Sequence, residues 1–330
     1  MPVTLRDIAR RANVSHATVS VVLNQRSAPI ISDKTRQKVL RVAAEMGYQP
    51  NHLARALATG RSDIVGLWVA RPYSPLNAVT LEHIQDIVRP ESFDLMIIEA
   101  DVASDTPPSL TKSHWPVDGI IAIDCAWRVD EYIAKNPRAK TAIVSISYDT
   151  STMVDSVTID IAAGVKSAMD HLLETGRRRI TLITASDSRK SEDLVRSSYT
   201  ASLEAAGLVP DIIECDTDSR AAGRDACASR LSSGAPLDAI LTYTDLLAVG
   251  AATSLVENNV AIPSQVALIS AAATPELEYK IPPLTVIEQP TKALCDAAWE
   301  MLRHRMAHPD APVQHVTVAP TLIVRGSSAP

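Results

Sequence analysis

The chain has 330 residues, 46% of them hydrophobic, and a formal net charge of −6, which suits two or three domains with sizeable cores. Only 4% of the residues are aromatic, so these cores are expected to be aliphatic. The sequence shows neither an apolar signal segment nor a run of roughly 18 apolar residues, which argues against a secreted or membrane-spanning protein. We therefore expect a cytoplasmic protein without a membrane partner, in which four scattered cysteines stay reduced.

The charged residues are divided unevenly along the chain. Residues 1–61 carry ten Lys or Arg and three Asp or Glu, a net charge of +7, whereas the remainder carries 22 basic and 35 acidic residues, a net charge of −13. A basic head on an acidic body is expected when only the head binds a polyanion such as DNA. A solvated charged surface would explain any one of these clusters, but it explains their segregation poorly.

The N-terminal sequence TLRDIARRANVSHATVSVVLN, residues 4–24, predicts two short helices joined by a tight turn. Thr4 and Asp7 have the spacing of a capping box, and apolar residues then recur at helical intervals. Ser15 is placed to cap the second helix. This pattern is typical of a helix-turn-helix, whose second helix lies in the major groove of DNA.

A third helix is predicted over residues 33–46, with Ser32 as its cap and Gly47 at its end. It would complete a three-helix bundle, with its inward-facing residues predicted to be Val39, Leu40, Ala43 and Met46. The segment HLARALATG, residues 52–60, then predicts one more short helix. Because an isolated helix of this length is marginal in water, the segment can equally be a flexible linker in the absence of DNA.

From residue 64 onward, short apolar runs alternate with helical stretches, which predicts parallel sheets covered on both faces and arranged as two doubly wound subdomains. A proline-rich segment, residues 101–116, predicts a loop between two of the strands. The predicted strands are residues 64–69, 93–98, 119–124, 141–146, 156–159, 179–184, 212–216, 239–243 and 266–270. The predicted helices include residues 78–88, 162–175, 192–206, 221–232, 246–258 and 291–308.

The order of residues in the headpiece, T-L-x-D-I-A-x-x-A-x-V-S-x-x-T-V-S-x-V-L-N, closely resembles that of the lactose-repressor (LacI/GalR) family of bacterial transcription regulators. Further family-like phrases follow in order, among them GY-x-PN, LAR-x-L-x-TGRS, VDGII, HLLETGRRRI and LTVIEQP. The resemblance therefore extends over essentially the whole chain.

The resemblance implies an all-α helix-turn-helix headpiece joined to an α/β periplasmic-binding-protein-like core of two doubly wound parallel-sheet lobes. The implied headpiece is residues 1–49, the hinge helix or linker is 50–61, and the effector-binding and dimerisation core is 62–330. Within the core, the implied lobes are residues 62–160 with 290–319, and residues 161–289 with 320–326. The chain is expected to cross between them near Asp160, Gln289 and Pro320.

By the same resemblance, residues of the headpiece and of the hinge are expected to contact DNA. The base-reading positions are His16, Ala17 and Val21. In the hinge, Leu57 is expected to wedge into the minor groove with Ala54 beside it. The positions that contact phosphate or frame the turn are Thr4, Ser15, Thr18, Ser20, Asn24 and Thr35.

Val21 departs from the family pattern, which usually has an arginine at this position. An arginine can hold a guanine through two hydrogen bonds, whereas valine offers only apolar contact, for which a thymine methyl is the natural partner. We therefore predict an operator that differs from the common half-site at this base. Simple helix packing is an equally weighted explanation for Val21.

In open α/β sheets, ligands bind at the carboxyl ends of the strands, and the family places its small-molecule effector there, between the lobes. The departures from the family pattern are large, because alanines replace the usual aspartate that holds sugar hydroxyls. The effector positions expected from the resemblance are Arg71, Tyr73, Asp160, Arg196, Thr244 and Ala272.

The loss of carboxylates, together with Arg71 and Arg196, predicts a positively charged cleft and an anionic effector such as a sugar phosphate or organic acid. The alternative is that Arg71 is an ordinary surface residue and that the pocket is degenerate or regulated in another way. The sequence identifies neither the effector nor the operator, and it does not distinguish an inducer from a corepressor.

An enzymatic function finds little support in the sequence. It contains no GxSxG, Walker, HExxH or dinucleotide-binding motif, so we expect no catalytic residues and no cofactor. His304 and His308 are one helical turn apart, but a solvated helix face explains them better than a metal site.

These observations predict a dimeric, sequence-specific DNA-binding transcription regulator, most simply a repressor, that binds a pseudo-palindromic operator and is controlled by a small-molecule effector. A ligand receptor of the solute-binding type without a role on DNA is one alternative. A sugar-processing enzyme is another. An activator or a corepressor-dependent repressor is an alternative within the same family.

Overall fold

The computed structural model describes residues 3–23, 31–48, 60–100, 116–137, 139–185 and 190–329. The chain forms two compact units, Met1–Ser62 and Asp63–Pro330. None of the helices in the described part of the chain combines the length and the apolar character that a membrane crossing requires.

Within its described residues, the first unit has three helices: α1 (Leu5–Ala12), α2 (His16–Leu23) and α3 (Asp33–Glu45). As predicted, Thr4 and Asp7 form a capping box that begins α1, and Asn13 ends it in the left-handed conformation. One prediction about α3 is wrong: Leu40 is 47% exposed rather than facing inward, because Val39 and Val42 occupy the buried face instead. The buried side chains of this small aliphatic core are Ile8, Ala9, Ala12, Val19, Val22, Val39, Val42 and Ala43.

The second unit is built from two six-stranded sheets with helices on their faces. The strands are β1 (Ile64–Val69), β2 (Asp94–Glu99), β3 (Gly119–Ile123), β4 (Ala142–Ser147), β5 (Asp155–Ile159), β6 (Ile180–Ala185), β7 (Asp211–Cys215), β8 (Ala239–Thr242), β9 (Ala267–Ser270), β10 (Thr285–Glu288), β11 (His315–Val318) and β12 (Thr321–Ile323). The helices are α4 (Pro75–Val88), α5 (Ala126–Lys135), α6 (Ile161–Glu174), α7 (Lys190–Ala205), α8 (Arg220–Ser232), α9 (Asp245–Glu257), α10 (Pro275–Glu278) and α11 (Thr291–Ala307). A short 3₁₀ turn, Arg89–Glu91, follows α4.

The strand order shows that both sheets are doubly wound. The first sheet has the order β11-β5-β4-β3-β1-β2, and the second has the order β12-β10-β9-β8-β6-β7. Every described pairing is parallel except that of β10 with β12, which is antiparallel. We call the part of the unit that contains the first sheet lobe 1, and the part that contains the second sheet lobe 2.

The chain passes between the lobes three times: between β5 and α6, between β10 and α11, and between β11 and β12. The long helix α11 therefore packs on the sheet of lobe 1 although it follows a strand of lobe 2. Close to the second crossing, the Gln289 amide in lobe 2 donates a hydrogen bond to the Tyr148 hydroxyl in lobe 1. The two lobes consequently form one unit although each has its own apolar core.

All four cysteines are buried within these cores and none forms a disulfide. Burial raises the pKa of Cys125, Cys215 and Cys227, and it raises the pKa of Cys295 to about 12. Because the thiolate is the reactive form of cysteine, these side chains behave as small apolar groups.

The helices α8 and α9 cross closely because each has a glycine at the contact. A Cβ at Gly250 would lie 2.1 Å from the Arg220 carbonyl oxygen, and a Cβ at Gly223 would lie 2.4 Å from the Leu247 carbonyl oxygen. Both obstacles are backbone atoms, which cannot move aside as a side-chain end can. The two glycines thereby fix how closely α8 approaches α9.

The nine predicted strands are all present, with ends that differ by no more than one residue, and the predicted two-lobe parallel fold is confirmed. The sequence did not predict β10, β11 or β12, and the helices named from it do not include α5 or the short α10. These three strands have only three or four residues each, and β11 is mostly exposed at the edge of its sheet. Several expectations fall outside the described residues: the DNA contacts Asn24, Ala54 and Leu57, and the loop at 101–115.

We expect Gly250→Ala to lower the free energy of unfolding of the second unit by about 1–3 kcal/mol, the usual cost of overpacking a well-packed contact. Thr253→Ala, on the exposed side of the same helix, serves as the matched control and should change stability much less. Urea unfolding followed by circular dichroism measures both variants. Equal stabilities would show that the glycine contact does not constrain the helix pair.

Candidate functional site

The start of α2 presents the predicted base-reading surface. His16 and Ala17 are exposed on its first turn, while Val19 and Val22 face the core. Val21 is half-buried, so part of its surface is covered by the protein and part remains available for contact. The geometry therefore supports both of the explanations given for Val21.

The predicted phosphate-contacting residues of the headpiece are chiefly helix caps. The Thr4 hydroxyl accepts a hydrogen bond from the Asp7 amide at 3.4 Å, and the Ser15 hydroxyl accepts one from the Thr18 amide at 3.0 Å. The hydroxyls of Ser32 and Thr35 lie 3.0 Å apart at the start of α3. Ser20 is half-buried on α2. Each cap leaves an exposed hydroxyl beside a helix N-terminus, where anions are favoured.

A second site is a cleft of about 500 Å³ lined by both lobes of the core. It lies where the strand order reverses, at the carboxyl ends of β1 and β3 in lobe 1 and of β6 and β8 in lobe 2. This is the position at which doubly wound sheets bind ligands, because the loops that leave adjacent strands there diverge to opposite faces. Four of the predicted effector residues line it: Arg71, Tyr73, Thr244 and Ala272.

Asp218 connects the two sides of this cleft. Its carboxylate lies 3.4 Å from the Arg71 guanidinium in lobe 1 and accepts a 2.6 Å hydrogen bond from the Thr244 hydroxyl in lobe 2. Thr244 is also the N-cap of α9, where its hydroxyl accepts the Leu247 amide. The Asp218 side chain is only 9% exposed, so these contacts stabilise a largely desolvated carboxylate.

The lining contains more carboxylates than guanidinium groups. Glu99 and Asp124 lie on the side of lobe 1, while Asp218 and Asp245 belong to lobe 2. Arg220 is the second guanidinium of the described lining, and it pairs with Glu276 of the same lobe at 2.8 Å. The charge of the described lining is therefore negative rather than positive.

Asp245 begins α9 and is 6% exposed. Burial raises the pKa of this carboxyl, and the nearby Asp218 raises it further, while a hydrogen bond from the Thr274 hydroxyl at 3.1 Å opposes the shift. The surroundings of Asp245 therefore favour its protonated carboxyl more than water does.

The alanine run after β9 forms part of the cleft wall and has a defined backbone conformation. The Ser270 hydroxyl donates to the Ala272 carbonyl oxygen at 2.7 Å and accepts from the Ala272 amide at 3.3 Å. Ala271 and Ala272 both line the cleft. This part of the wall is consequently apolar and ordered.

Two predicted effector residues are not brought into the lining of the cleft. Asp160 is the N-cap of α6 and accepts the Ala163 amide at 3.1 Å. The Arg196 guanidinium pairs with Glu192 at 2.7 Å and with Glu214 at 2.8 Å. Both side chains are engaged within the fold, and a role for them in effector binding stays a prediction.

Comparison with known proteins agrees with this architecture. Residues 4–51 match the domain of bacterial regulatory proteins of the lacI family, and residues 169–328 match a periplasmic binding protein-like domain. The HTH-type transcriptional regulator DegA of Bacillus subtilis is 30% identical over the whole chain and 99% of its own length. The chain belongs to the LacI/GalR family of bacterial transcriptional regulators.

Other members of the LacI/GalR family match over a similar extent. The ribose operon repressor of Haemophilus influenzae is 27% identical and covers 98% of both chains. Among solved structures, the Lac repressor dimer bound to operator and an anti-inducer has a TM-score of 0.85 and 22% identity, with 99% of each chain covered. The fold predicted from the sequence is therefore confirmed, and the protein is a DNA-binding transcriptional regulator of this family.

Several residues of this LacI/GalR regulator's cleft were missed in the sequence. Asp124 directly follows β3, and Asp218 follows β7 by three residues. The rule that ligands bind at the carboxyl ends of the strands therefore indicated both residues. The pairing of Asp218 with Arg71 had no such signal, because 147 positions separate the two residues and only the packing of the lobes brings them together.

The regulators named above are not enzymes, and the described residues carry no group of three or more metal-ligating side chains. His304 and His308 are exposed at the end of α11, with ring centres 4.9 Å apart. The predicted interpretation of this pair as a solvated helix face agrees with its exposure.

We expect Asp245→Asn to become more stable relative to the wild type as the pH rises from about 4 to 7. A carboxyl with a raised pKa in the folded state binds its proton more tightly there than in the unfolded state, so its ionisation weakens folding above its ordinary pKa. The asparagine cannot ionise and still accepts from Thr274. Thermal melts across this pH range measure the difference.

Asp193→Asn is the matched control, since Asp193 is an exposed carboxyl in the first turn of α7. Its stability relative to the wild type should not rise with pH in this way. The same pH trend in both variants would refute the role of burial at Asp245.

Proposed function

We propose that this protein is a dimeric transcriptional repressor that acts in the cytoplasm on a pseudo-palindromic DNA operator, with its affinity controlled by a small molecule bound in the cleft. The observation that carries the proposal is the presence, in one chain, of a helix-turn-helix unit and a two-lobe unit whose ligand cleft lies at the reversal points of both sheets. The role is regulatory rather than catalytic.

The proposed division of labour follows the boundaries expected from the sequence. Residues 1–49 bind DNA, residues 50–61 are the hinge, and residues 62–330 bind the effector and dimerise. The lobes of the core comprise residues 62–160 with 290–319, and residues 161–289 with 320–326. The strong net positive charge of the first 61 residues supports the assignment of DNA binding to the headpiece.

For the effector, the cleft supports a neutral molecule rich in hydroxyl groups better than the anion expected from the sequence. Arg71 is paired with Asp218, Arg196 lies outside the described lining, and carboxylates outnumber guanidinium groups around the cleft. Carboxylate oxygens accept hydrogen bonds from hydroxyl groups, whereas they repel carboxylates and phosphates. A relative named ribose operon repressor and solved relatives with bound cellobiose, lactose or ribose are consistent with this class. The anionic effector remains the alternative.

Selection of operators from a random DNA pool with the full-length protein tests the DNA-binding part. We expect a pseudo-palindromic sequence without a strong guanine preference at the base that faces Val21. Val21→Arg should create that preference, because a bidentate arginine–guanine contact discriminates by about 1–3 kcal/mol. A strict guanine requirement in the wild type would contradict the proposed role of Val21, and failure to enrich any sequence would contradict the function itself.

Leu40→Arg is the control for the added charge. Leu40 is exposed on α3, whereas the predicted reading residues lie on α2, so its replacement should strengthen binding to all sequences alike without creating a guanine preference.

A thermal-melt screen of the full-length protein tests the effector class. We expect D-ribose, D-galactose, lactose or cellobiose to raise the melting temperature more than ribose 5-phosphate or citrate does. A ligand at 100 times its dissociation constant adds about 2.7 kcal/mol to the stability of the folded state, which such a screen detects. Melting-temperature shifts caused by the anions alone would contradict a neutral effector and support the anionic one.

Asp218→Asn should weaken the shift produced by the best ligand at least several-fold, because the amide replaces one acceptor oxygen by a donor. Asp216→Asn alters an exposed carboxyl two positions away on the same loop and should leave the shift unchanged. Equal effects of the two variants would remove Asp218 from the ligand site.

A further inference from the structure

The ion pair between Arg71 and Asp218, which we call the cross-cleft pair, joins the two lobes at the lining of the cleft. Arg71 follows β1 in lobe 1, and Asp218 follows β7 in lobe 2. The pair therefore differs in kind from the Arg220–Glu276 pair, which lines the same cleft at Arg220 but has both partners in lobe 2. Only a contact that spans the lobes can oppose their separation.

Both partners of the cross-cleft pair are held by the rigid elements of their own lobe. The backbone carbonyl of Arg71 accepts a hydrogen bond at 3.1 Å from the Asn77 side-chain amide, which is buried on α4. Asp218 is held by the Thr244 hydroxyl at the start of α9. Neither partner therefore sits on an unsupported loop. The contact links the two sheets through fixed backbone positions, and its formation costs less conformational entropy than a contact between two flexible loops would.

The environment of the pair gives it a strength between that of a surface contact and that of a buried one. The Arg71 side chain is 38% exposed and the Asp218 side chain is 9% exposed. A partly exposed pair is strong enough to bias an equilibrium between two lobe arrangements, yet weak enough to be broken when a ligand supplies new partners. A fully buried pair would be too costly to break in this way.

We propose that the cross-cleft pair is a latch that holds the lobes together in the ligand-free protein. The three chain crossings keep the lobes connected in every arrangement, whereas the latch is an interaction that can be made and broken as the cleft opens. The latch also places Arg71 at the Asp218 carboxylate, which the proposed function assigns to ligand binding. A bound hydroxyl-rich ligand then donates hydrogen bonds to the Asp218 carboxylate in place of the Arg71 guanidinium.

The distance between the lobes tests the latch in the absence of any ligand, and so independently of the DNA and effector assignments. Gln85→Cys on α4 and Ser229→Cys on α8 place one exposed thiol on each lobe, and the four native cysteines are buried, so spin labels attach selectively. Electron–electron resonance on labelled full-length protein, diluted with an excess of unlabelled protein, reports the distribution of distances within one chain.

We expect Arg71→Met and Asp218→Asn each to raise the population of the longer interlobe distances about 1.5- to five-fold, the range set by the free energy of an exposed ion pair. Raising the salt concentration from 0.1 to 1 M shortens the screening length from about 10 to 3 Å and should lengthen the distances in the wild type but not in either variant. The charge-exchanged variant R71D/D218R should restore the shorter distance.

Arg220→Met is the matched control, because it breaks an ion pair at the same cleft within a single lobe. Its distance distribution should equal that of the wild type. The latch is overturned if Arg71→Met leaves the distances unchanged, or if Arg220→Met lengthens them equally. It is also overturned if the salt response of Arg71→Met matches that of the wild type.

Discussion

Parallel pairing of strands is the constraint on which the core of this regulator depends. Parallel strands need crossover connections, and these connections cover both faces of each sheet with helices. All strands of a parallel sheet also end at the same edge, so the loops that follow them collect there. In this protein, the two sheets present these edges to one cleft, and the three passages of the chain keep both sheets within one unit. The position of the cleft is therefore a consequence of strand direction.

Within that geometry, the identity of the cleft residues decides the chemistry. The apolar wall at Ala271 and Ala272 offers shape without hydrogen bonds, and the carboxylate of Asp218 offers an acceptor from the neighbouring loop. The family's usual aspartate is thus replaced by alanine after β9, while Asp218 supplies a carboxylate after β7. Reading each position by itself suggested a positive cleft, whereas the assembled lining is negative.

The sequence predicted what depends on short-range patterns and missed what depends on distant partners. The capping box of Thr4 and Asp7, nine of the twelve described strands and the two-lobe architecture follow from local periodicity, turn residues and the family resemblance. The strand β11 was not predicted, because its alternation of Val316 and Val318 with polar residues extends over only four mostly exposed positions and its pairing comes from β5. Likewise, nothing near Arg196 indicated that Glu214, on a different element, would engage its guanidinium.

The burial of all four thiols has a consequence for the kind of signal this regulator can receive. A regulator senses oxidants through exposed cysteines whose pKa is lowered, because the thiolate is the species that reacts. Here burial shifts the pKa of each cysteine in the opposite direction, and no pair is joined by a disulfide. These four cysteines are therefore poorly suited to sensing oxidants, and the cleft is the part of the core open to a chemical signal.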